Sequence, residues 1–577
     1  MDHIWNYQTP TYKQVEDAEQ LAEKLKISPI LANLLVERGI HDPIQAQKFF
    51  HPQLRDLHDP FLMKDMDIAV ERLNMALGRK ERIMIYGDYD VDGTTAVALV
   101  YKFLLQFYSN IDYYIPDRYE EGYGVSKKGI DYAKSTDVKL IIILDCGIKA
   151  IEEIAYAKSL DIDFIICDHH VPDDTLPCAV AILNAKRHDN TYPYTDLSGC
   201  GVGFKFMQAF AINNNIEFYQ LLPLLDLTAV SIASDIVPIM GENRILAFYG
   251  LRQLNSNPSI GLKAIIDVCA LNEKELTMSD IMFKIGPRIN ASGRIQNGKE
   301  AVDLLVEKDF VHALNLANQI NEYNEQRKDL DKNMTEEANQ QVEAIHKIGN
   351  KNSIVLYNKD WHRGVIGIVA SRLTEVYYRP AVVLTDANGL VSGSARSIIG
   401  FDVYKAIESC RDLLENFGGH TYAAGLSLKS ENVEEFSTRF ENYVTTHIDE
   451  EQRNPKIKID AEIKFGDITQ KFYHDLKMFN PFGPQNLKPI FGTSNVYDYG
   501  TSKVVGREQE HIKMELVDSQ SSNVMNGIAF GQSESFKFIK TKQSFDICYS
   551  IEENTHKRGE LQLLIEDIEK SKDEPEA

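Results

Sequence analysis

Acidic residues and histidines gather in three short clusters, and each cluster directly follows an apolar run that predicts a buried strand. The clusters are Asp88-Tyr89-Asp90-Val91-Asp92-Gly93 after residues 83–85, Asp145-Cys146-Gly147 after residues 140–143, and Asp168-His169-His170 after residues 164–166. Carboxylate oxygens with one or two imidazoles suit Mn²⁺ or Mg²⁺ better than Zn²⁺ or copper. The three clusters therefore predict a metal site that assists phosphate chemistry.

The spacing within the clusters supports this interpretation. Asp88, Asp90 and Asp92 alternate, so in a continuing strand they would share one face. Three like charges this close repel one another unless cations neutralise them. The neighbouring side chains of His169 and His170 point in different directions, so one can bind metal while the other faces substrate or a carboxylate. Taken singly, each cluster could be a polar turn or a packed histidine pair; their combination indicates a site.

A further pair of aspartates, Asp226 and Asp235, lies nine residues apart in an otherwise apolar stretch. Either carboxylate could complete the metal site. The other would then cap a helix or pair with a charge in the core, and the sequence pattern by itself leaves both assignments open.

Three segments beyond residue 280 contain the residue types that bind phosphate. They are residues 286–294 with Arg288 and Arg294, residues 392–396 with Ser394 and Arg396, and residues 418–425 with Gly419 and His420. Arginine binds pairs of phosphate oxygens, and glycine-rich turns expose backbone N–H groups to anions. Each segment alone is typical of a turn with a solvated arginine. Three of them downstream of a metal site indicate phosphate contacts.

The elements that must position the clusters follow an alternating pattern. From about residue 65 to 240, apolar strands alternate with amphipathic helices, among them helices expected at residues 94–107 and 148–159. Such alternation predicts a parallel sheet with right-handed crossovers. Ligands of these sheets bind beyond the carboxyl ends of the strands, which is where the three clusters fall.

The remaining chain predicts an α/β multidomain protein. The expected domains are an N-terminal helical segment (1–60), a catalytic parallel-sheet domain (61–315), a connecting helix (316–350), a smaller α/β domain (351–450) and a C-terminal β-barrel of short alternating strands (454–570). A coiled-coil partner is the alternative for the connecting helix, although sustained apolar heptads are absent. The charged tail at 570–577 is expected to be disordered.

Composition narrows the class of protein. A chain of 577 residues exceeds what one core usually supports. The net charge of −23 favours simple solubility, but nucleic-acid binding stays open because basic side chains can gather on one face. Seven cysteines without a C-x-x-C pair fit a reduced protein better than a disulfide framework. With no leader and no apolar window long enough to span a bilayer, we expect a cytoplasmic protein.

These residues resemble the motifs of the DHH phosphoesterases. The three clusters are similar to the first three motifs of that family, and Ser234-Asp235-Ile236-Val237-Pro238 is similar to the fourth, which favours Asp235 over Asp226 as a ligand. Residues 286–294 and 418–425 resemble further motifs of the RecJ branch, whose members are single-strand-specific 5′→3′ DNA exonucleases of bacteria. The resemblance runs from about residue 25 to 570.

The resemblance implies a DHH domain, a DHH-associated domain and an OB-fold that guides the single strand. It assigns one or two Mn²⁺ or Mg²⁺ ions to Asp88, Asp90, Asp145, His169 and Asp235, and catalytic roles to His170, Asp168 and Asp92. It assigns DNA phosphates to Arg118, Arg288, Arg294, Ser394, Arg396, Gly419 and His420. Two ions roughly 3.5–4 Å apart, bridged by a carboxylate such as Asp145, would hydrolyse the terminal phosphodiester. A narrow channel would admit single strands only, and stacking would tolerate any base.

The resemblance also implies binding partners, and this sequence differs from the family pattern in two places. Single-stranded DNA, a single-strand-binding protein and a helicase are the expected partners of a monomer that does not engage membranes and acts in DNA repair and recombination. Where the family has a Gly-Asn-Pro-Glu-Pro-like turn before an OB strand, this chain has Gln485-Asn486-Leu487-Lys488-Pro489. Because residue 577 follows soon after the barrel, we also expect the extra C-terminal domain of some relatives to be missing.

Two other functions remain as alternatives. One is a DHH hydrolase of nano-RNA, pAp or a cyclic dinucleotide, although such enzymes need no domain that guides a strand. The other is a degenerate RecJ-like scaffold without activity, although such relatives lose metal-binding carboxylates that are all present here.

Overall fold

The computed structural model describes residues 3–346, 351–519, 521, 523–554, 557 and 559–571. The chain forms two compact units, one from residues 1–53 together with 454–577 and the other from residues 54–453. Most of the tail expected to be disordered lies outside the described residues, as do residues 347–350 of the expected connecting helix. No described helix is long and apolar enough to cross a membrane.

The N-terminal part of the first unit is one strand followed by three helices. These are β1 (Ile4–Tyr7), α1 (Tyr12–Leu25), α2 (Pro29–Glu37) and α3 (Pro43–Phe50). Asp42 accepts hydrogen bonds from the amides of Ile44 and Gln45, and Pro43 occupies the first turn of α3. Asp42-Pro43 therefore begins a helix within the segment that was expected to be helical.

The second unit begins with the expected parallel sheet. Its elements are α4 (Met66–Gly78), β2 (Arg82–Gly87), α5 (Val91–Leu104), β3 (Ile111–Tyr114), α6 (Lys127–Ser135), β4 (Val138–Leu144), α7 (Ile151–Ser159), β5 (Asp163–Cys167) and β6 (Ala181–Leu183). The strand order is β3-β2-β4-β5-β6, and every neighbouring pair is parallel. The prediction of a parallel sheet is confirmed.

The first acidic cluster does not continue its strand, so its three aspartates do not share a strand face. β2 ends at Gly87, and Asp90 caps α5 by accepting a hydrogen bond from the amide of Gly93 at 3.0 Å. An aspartate favours this position because its carboxylate satisfies an amide that the first helical turn leaves free. Asp92 consequently lies buried in the first turn of α5.

Helices cover the rest of the parallel-sheet region. They are α8 (Gly199–Asn213), α9 (Leu225–Ser234), α10 (Gly241–Ser256), α11 (Ile260–Val268), α12 (Met278–Asp280), a π-helical turn (Ile281–Ile285), α13 (Gly286–Ile295), α14 (Lys299–Val306) and α15 (Phe310–His346). The described part of the connecting helix expected at residues 316–350 lies within α15.

Residues 286–294 were expected to form a glycine-rich turn, and this prediction is wrong. They lie in α13, where a Cβ on Gly286 would lie 2.7 Å from Ser234 Oγ and one on Gly293 would lie 2.7 Å from Tyr89 O. The glycines therefore allow close packing of a helix rather than a turn.

A smaller mixed sheet follows in the same unit. Its elements are β7 (Ile354–Tyr357), α16 (Ile366–Tyr377), β8 (Ala381–Ala387), β9 (Leu390–Arg396), α17 (Val403–Glu408), β10 (Leu414–His420), β11 (Ala423–Leu428) and α18 (Val433–His447). The strand order is β10-β11-β9-β8-β7, in which β7 and β8 are parallel and the other pairs antiparallel. The second α/β region is confirmed.

The first unit is completed by the C-terminal barrel. Its elements are β12 (Lys456–Ile459), β13 (Ala461–Glu462), α19 (Gln470–Lys477), β14 (Phe491–Asp498), β15 (Lys503–Val505), β16 (His511–Asp518), β17 (Val524–Ala529), α20 (Phe536–Ile539), β18 (Phe545–Glu553) and β19 (Leu561–Lys570). Pairing of β14 with both β18 and β16 closes the ring β14-β18-β19-β17-β16. The predicted barrel is confirmed, and β1 pairs in parallel with β12 beside it.

The contact of α9 with α10 gives a test of the packing that positions Asp235. A Cβ on Gly250 would lie 2.3 Å from Leu225 O and 2.6 Å from Ala229 Cβ. We expect Gly250→Ala to destabilise the unit by about 1–3 kcal/mol, because the two helices must separate. Differential scanning calorimetry measures the fall in melting temperature.

The matched control is Gly78→Ala at the exposed end of α4, where an added Cβ meets nothing within 4 Å. This change should raise the melting temperature slightly, since alanine stabilises a helix by about 0.5–1 kcal/mol relative to glycine. Shifts of the same sign in both variants would contradict the packing argument.

Candidate metal and phosphate site

The ends of β2, β4 and β5 bring the predicted carboxylates and His169 together. His169 Nε2 lies 3.2 Å from Asp145 Oδ1, 3.5 Å from Asp235 Oδ2 and 3.7 Å from Asp92 Oδ2. Two overlapping sets of ligand atoms have metal-binding spacing, Asp145 with His169 and His170, and Asp92 with His169 and Asp235. We call this group the acidic cluster. Its members are Asp88, Asp90, Asp92, Asp145, Asp235 and His169.

Several ligand atoms of the acidic cluster are buried and make no hydrogen bond within the described chain. They are Asp88 Oδ1, Asp145 Oδ1 and both ring nitrogens of His169; the 3.2 Å approach of His169 Nε2 to Asp145 Oδ1 lacks hydrogen-bond geometry. Buried polar atoms are normally satisfied, so an unpartnered group of this kind needs an explanation. Hard oxygens with one imidazole fit a Mn²⁺ or Mg²⁺ ion, which would satisfy these atoms together.

The charges of the acidic cluster support the same fit. Burial raises the pKa of Asp145, and the carboxylates of Asp92 and Asp90 raise it further. Burial and the same two neighbours raise the pKa of Asp235 to about 9. Burial, followed by Asp90, likewise raises the pKa of Asp88. The protein alone thus leaves repelling negative charge in a buried site, and a divalent cation would balance it.

The backbone around Asp145 is shaped to present this carboxylate. Asp145 has φ +62°, a left-handed conformation that aspartate tolerates better than most residues. A Cβ on Gly199 would lie 2.6 Å from Asp145 Oδ1, so only glycine leaves room for the carboxylate there. The first residue of α8 therefore adjoins the acidic cluster.

Asp92 is held by the start of α8. Its Oδ2 accepts a hydrogen bond from the amide of Gly199 at 2.6 Å, and its Oδ1 accepts from the amide of Cys200 at 2.8 Å and the hydroxyl of Ser231 at 2.7 Å. Helix N-termini stabilise negative charge. These bonds fix Asp92 beside His169 and occupy both of its oxygens.

Asp168 orients His170 rather than joining the acidic cluster. Its Oδ1 contacts His170 Nδ1 at 2.8 Å, and its Oδ2 accepts from the amide of Ile148 at 2.9 Å. Burial opposes the charged form, but the bonds from His170 and Ile148 hold the pKa of Asp168 below its usual range. Burial likewise opposes the imidazolium, yet Asp168 raises the pKa of His170. The hydroxyl of Tyr123 lies 3.4 Å from His170 Nε2.

The structure separates Asp226 from the acidic cluster. Asp226 is buried in α9, where it accepts hydrogen bonds from the amides of Leu227 and Ser259 at 2.7 Å each. Asp235 follows the last residue of α9 and reaches His169. Of the two candidate carboxylates, only Asp235 lies where a metal could meet it.

Three of the predicted arginines form a second group, the arginine cluster of Arg118, Arg294 and Arg396. Burial and the charges of Arg118, Arg327 and Arg396 lower the pKa of Arg294 to about 10. Burial and Arg118 lower the pKa of Arg396. Within the described residues no carboxylate forms an ion pair with these three guanidinium groups. Such unbalanced positive charge is suited to an anion.

The arginine cluster adjoins the acidic cluster through neighbouring residues. The Arg118 guanidinium lies 4.9 Å from the ring centre of Tyr89, between Asp88 and Asp90, and its charge opposes the raised pKa of Asp88. Arg294 Nη1 donates to Gly364 O at 2.9 Å, and the Tyr119 hydroxyl donates to Arg294 O. A phosphate held by arginine would therefore lie next to the carboxylates of the acidic cluster.

Ser394 and the start of α16 complete this group. Arg396 Nη1 donates to Ser394 Oγ at 3.0 Å. A Cβ on Gly367, the second residue of α16, would lie 2.9 Å from Ser394 Oγ and 3.1 Å from Arg396 Nη2. The first turn of α16 thus approaches the arginine closely, where backbone amides can add to anion binding.

The structure does not bring every predicted residue to these clusters. Arg288 Nε donates to Asn321 Oδ1 at 2.8 Å and its Nη1 donates to Lys284 O at 2.8 Å. Gly419 and His420 are exposed in β10 and pair with β11. In the part of the chain that the structure describes, none of these three contacts the acidic or the arginine cluster.

Some residues of the site were missed by sequence reasoning. They are Gly199 and Ser231 beside Asp92, Tyr123 and Ile148 beside the Asp168–His170 pair, and Gly364 and Gly367 beside the arginines. The start of α8 could have been predicted from the sequence Ser198-Gly199-Cys200-Gly201, because a capping serine followed by glycines is typical of a helix start that approaches an anion. The other residues have no local signal.

Comparison with known families accounts for three regions of the chain. The family model for the DHH family, N-terminal domain, matches residues 82–232, the DHHA1 domain matches residues 350–446, and the RecJ OB domain matches residues 459–567. The acidic residues of all three sequence clusters fall in the first match. Arg396 of the arginine cluster lies in the DHHA1 match.

Individual proteins match over nearly the whole chain. The single-stranded-DNA-specific exonuclease RecJ of Bacillus subtilis (strain 168) is 36% identical over 98% of this chain and 70% of its own length. That of Escherichia coli (strain K12) is 31% identical over 96% of this chain and 98% of its own length. A crystal structure of RecJ in complex with Mn²⁺ from Thermus thermophilus matches with a TM-score of 0.84, at 23% identity, over 100% of this chain and 80% of that one. From the domain matches and the identity to RecJ proteins, the chain belongs to the RecJ family of DHH phosphoesterases.

Proposed function

We propose that this chain is a metal-dependent exonuclease that hydrolyses single-stranded DNA from its 5′ end to 5′-mononucleotides, in DNA repair and recombination. The observation that carries the proposal is the pairing of two clusters. Buried ligand atoms at Asp88, Asp145 and His169 adjoin arginines that have no carboxylate partner among the described residues. One cluster suits divalent metal and the other suits phosphate. Together they match the two requirements for cleaving a phosphodiester next to a terminal phosphate.

The cofactor is Mn²⁺ or Mg²⁺, one or two ions. Asp88, Asp90, Asp145, His169 and Asp235 would hold it, since their oxygens and imidazole are the donors that such ions take. When bound, the metal lowers the pKa of a water and stabilises the charge on the attacking and leaving oxygens. Asp92, which is held by its bonds to α8 and Ser231, lies 3.7 Å from His169 Nε2 and would help to keep that ring in place.

The remaining polar residues would position the substrate. Asp168 contacts Nδ1 of His170, so Nε2 would donate a hydrogen bond to a phosphate oxygen or a proton to the leaving oxygen. Arg118, Arg294 and Arg396 would hold the 5′ phosphate, with Ser394 beside them. Arg288, Gly419 and His420 would contact phosphates further along the strand.

The barrel supports a polynucleotide substrate. The match of the RecJ OB domain to residues 459–567 disfavours the alternative of a small-substrate DHH hydrolase, which needs no such domain. OB folds bind single strands through basic grooves and stacking surfaces that accept any base. As part of the proposal, the enzyme acts as a monomer in the cytoplasm beside a single-strand-binding protein and a helicase; its seven cysteines are all free, as in a reduced compartment.

Asp145→Ala tests the acidic cluster. We expect release of 5′-mononucleotides from a labelled single-stranded 20-mer to fall by about three orders of magnitude or more, because the metal loses a central ligand. Circular dichroism and size-exclusion chromatography should show an unchanged fold. The control is Asp226→Asn, which should lower the melting temperature but leave kcat within about twofold. The site assignment would be overturned by normal turnover of Asp145→Ala or by a dead Asp226→Asn enzyme.

Metal binding can be measured without catalysis. Mn²⁺ at a hundredfold excess over its Kd should stabilise the folded protein by about 2.7 kcal/mol, and excess EDTA should reverse the effect. Asp235→Ala should lose most of this stabilisation, since the ion would have one carboxylate fewer. Differential scanning fluorimetry over a Mn²⁺ titration measures it. Equal metal-induced shifts in the variant and the wild type would exclude Asp235 as a ligand.

The arginine cluster predicts a preference for 5′-phosphorylated strands. Wild-type KM for a 5′-phosphorylated 20-mer should be about 10–100-fold lower than for the 5′-hydroxyl strand, as expected for charge-assisted hydrogen bonds. Arg294→Gln should abolish most of this difference. Arg411→Gln, which changes an arginine that lies over the Phe417 ring, should preserve it. Steady-state kinetics on both strands decides, and a preference that persists in Arg294→Gln would contradict this role.

A further inference from the structure

The residue after Asp235 has a backbone conformation that does not suit its side chain. Ile236 has φ +59°, in the left-handed region where a β-branched side chain clashes with its own backbone. Fifteen non-glycine residues of the described chain have positive φ, and Ile236 is the single β-branched residue among them. The conformation is therefore exceptional within this protein as well as in general.

Other helix ends in residues 54–453 show which residue types occupy the equivalent left-handed position. Like α9, five helices there place a left-handed residue two positions after their last residue, namely α4 with Lys80, α6 with Asp137, α7 with Asp161, α8 with Asn215 and α11 with Ala270. All five residues are unbranched at Cβ. A left-handed residue is a common way to end a helix, and glycine or asparagine would serve it with less strain.

The end of α9 also lacks a bond that compensates for this conformation after four of these five helices. After α4, α7, α8 and α11, the next amide donates back to the helix, as Glu81 N does to Ala76 O at 2.9 Å and Leu271 N to Ile266 O at 3.1 Å. At α9 the cap is the bond from the Asp235 amide to Ser231 O, and the described residues show no bond from the amide of Val237 to the helix. Helix termination therefore gives no reason for an isoleucine.

Packing does not explain the isoleucine either. Its side chain is 60% exposed, so burial recovers little of the backbone strain. Strain that the local structure does not compensate is characteristic of functional positions. Ile236 stands at the rim of the acidic cluster, because Asp235 Oδ2 lies 3.5 Å from His169 Nε2. Val171, which follows His170, is similarly exposed at 56%.

We propose that Ile236 is a substrate-binding residue whose side chain packs on the face of the base of the 5′-terminal nucleotide. This rests on the proposed function and adds an apolar subsite to the metal and phosphate contacts. An alkyl group can cover the face of any base, so the contact would add affinity without sequence preference. The left-handed backbone at position 236 aims the side chain outward while Asp235 points to the metal ligands.

The test is Ile236→Gly, which relieves the strain and removes the apolar contact. We expect the melting temperature to rise by roughly 1–2 °C, while KM for a 5′-phosphorylated 20-mer rises roughly fivefold to tenfold and kcat stays within about twofold. A rise in KM with unchanged kcat is the signature of lost substrate binding. Ile236→Val, which retains most of the apolar surface, should keep KM within about twofold of wild type.

A second substrate identifies the partner of the side chain. A 20-mer whose 5′ nucleotide lacks its base should have a KM several-fold higher than the normal strand with the wild-type enzyme, but nearly the same KM with Ile236→Gly. Lys80→Gly, at the equivalent position after α4, is the matched control and should gain stability with unchanged kinetics.

The outcomes separate this inference from the proposed function. Unchanged KM in Ile236→Gly, or an equal penalty for the missing base in both enzymes, would overturn the role of Ile236 while mononucleotide release by the wild type upheld the exonuclease. Absence of release by the wild type would overturn the proposed function itself.

Discussion

The constraint on which the rest of the structure depends is the burial of several carboxylates around one imidazole. Asp88, Asp145 and Asp92 are at most 2% exposed, and burial raises the pKa of Asp88 and Asp145. Charges of one sign can share such a site only if cations or oriented dipoles oppose them. The fold supplies dipoles at two helix starts, where α5 begins at the cap Asp90 and α8 donates amides to Asp92. The charge that remains is the reason the site needs metal.

The architecture follows from this need to bring charged groups close to a backbone. Parallel strands deliver carboxylates to one edge of the sheet, and the helices around that edge must then approach them without side chains in between. Glycine meets this requirement at three positions. A Cβ would lie 2.5 Å from Asp88 O at Gly93, 2.6 Å from Asp145 Oδ1 at Gly199 and 2.7 Å from Tyr89 O at Gly293. These glycines act through close approach rather than through turns.

The dependence on close approach explains which parts of the structure could be predicted from the sequence. The strands that end at acidic clusters and the short alternating strands after residue 454 were predictable, because each pattern is local. Residues 286–294 were misassigned as a turn because a glycine that allows packing cannot be distinguished from a turn glycine without its neighbours. The convergence of Arg118, Arg294 and Arg396 depends on contacts between residues nearly 300 positions apart in sequence, for which no local pattern exists.

The roles of Asp226 and Asp235 could be predicted only in part from the sequence. Nine residues of α-helix turn through about 900°, since each residue adds about 100°, so side chains nine apart point to opposite sides. The helical spacing predicts that only one of them faces the acidic cluster, and the resemblance to the fourth motif favours Asp235. The tertiary structure shows which aspartate faces the acidic cluster. Asp226 accepts hydrogen bonds from the amides of Leu227 and Ser259, whereas Asp235 faces His169.

Strained backbone occurs twice at the acidic cluster, and the two instances differ in what they mean. Asp145 is left-handed at φ +62°, but aspartate often adopts that region and the conformation has an evident use in presenting a carboxylate. Ile236 is left-handed at φ +59° with a side chain that disfavours it and that 60% exposure leaves largely in solvent. A left-handed residue near a site is therefore weak evidence of function by itself. A left-handed residue of an unsuitable type, without compensating bonds or burial, is stronger evidence, and on it rests the proposal that the side chain of Ile236 binds substrate.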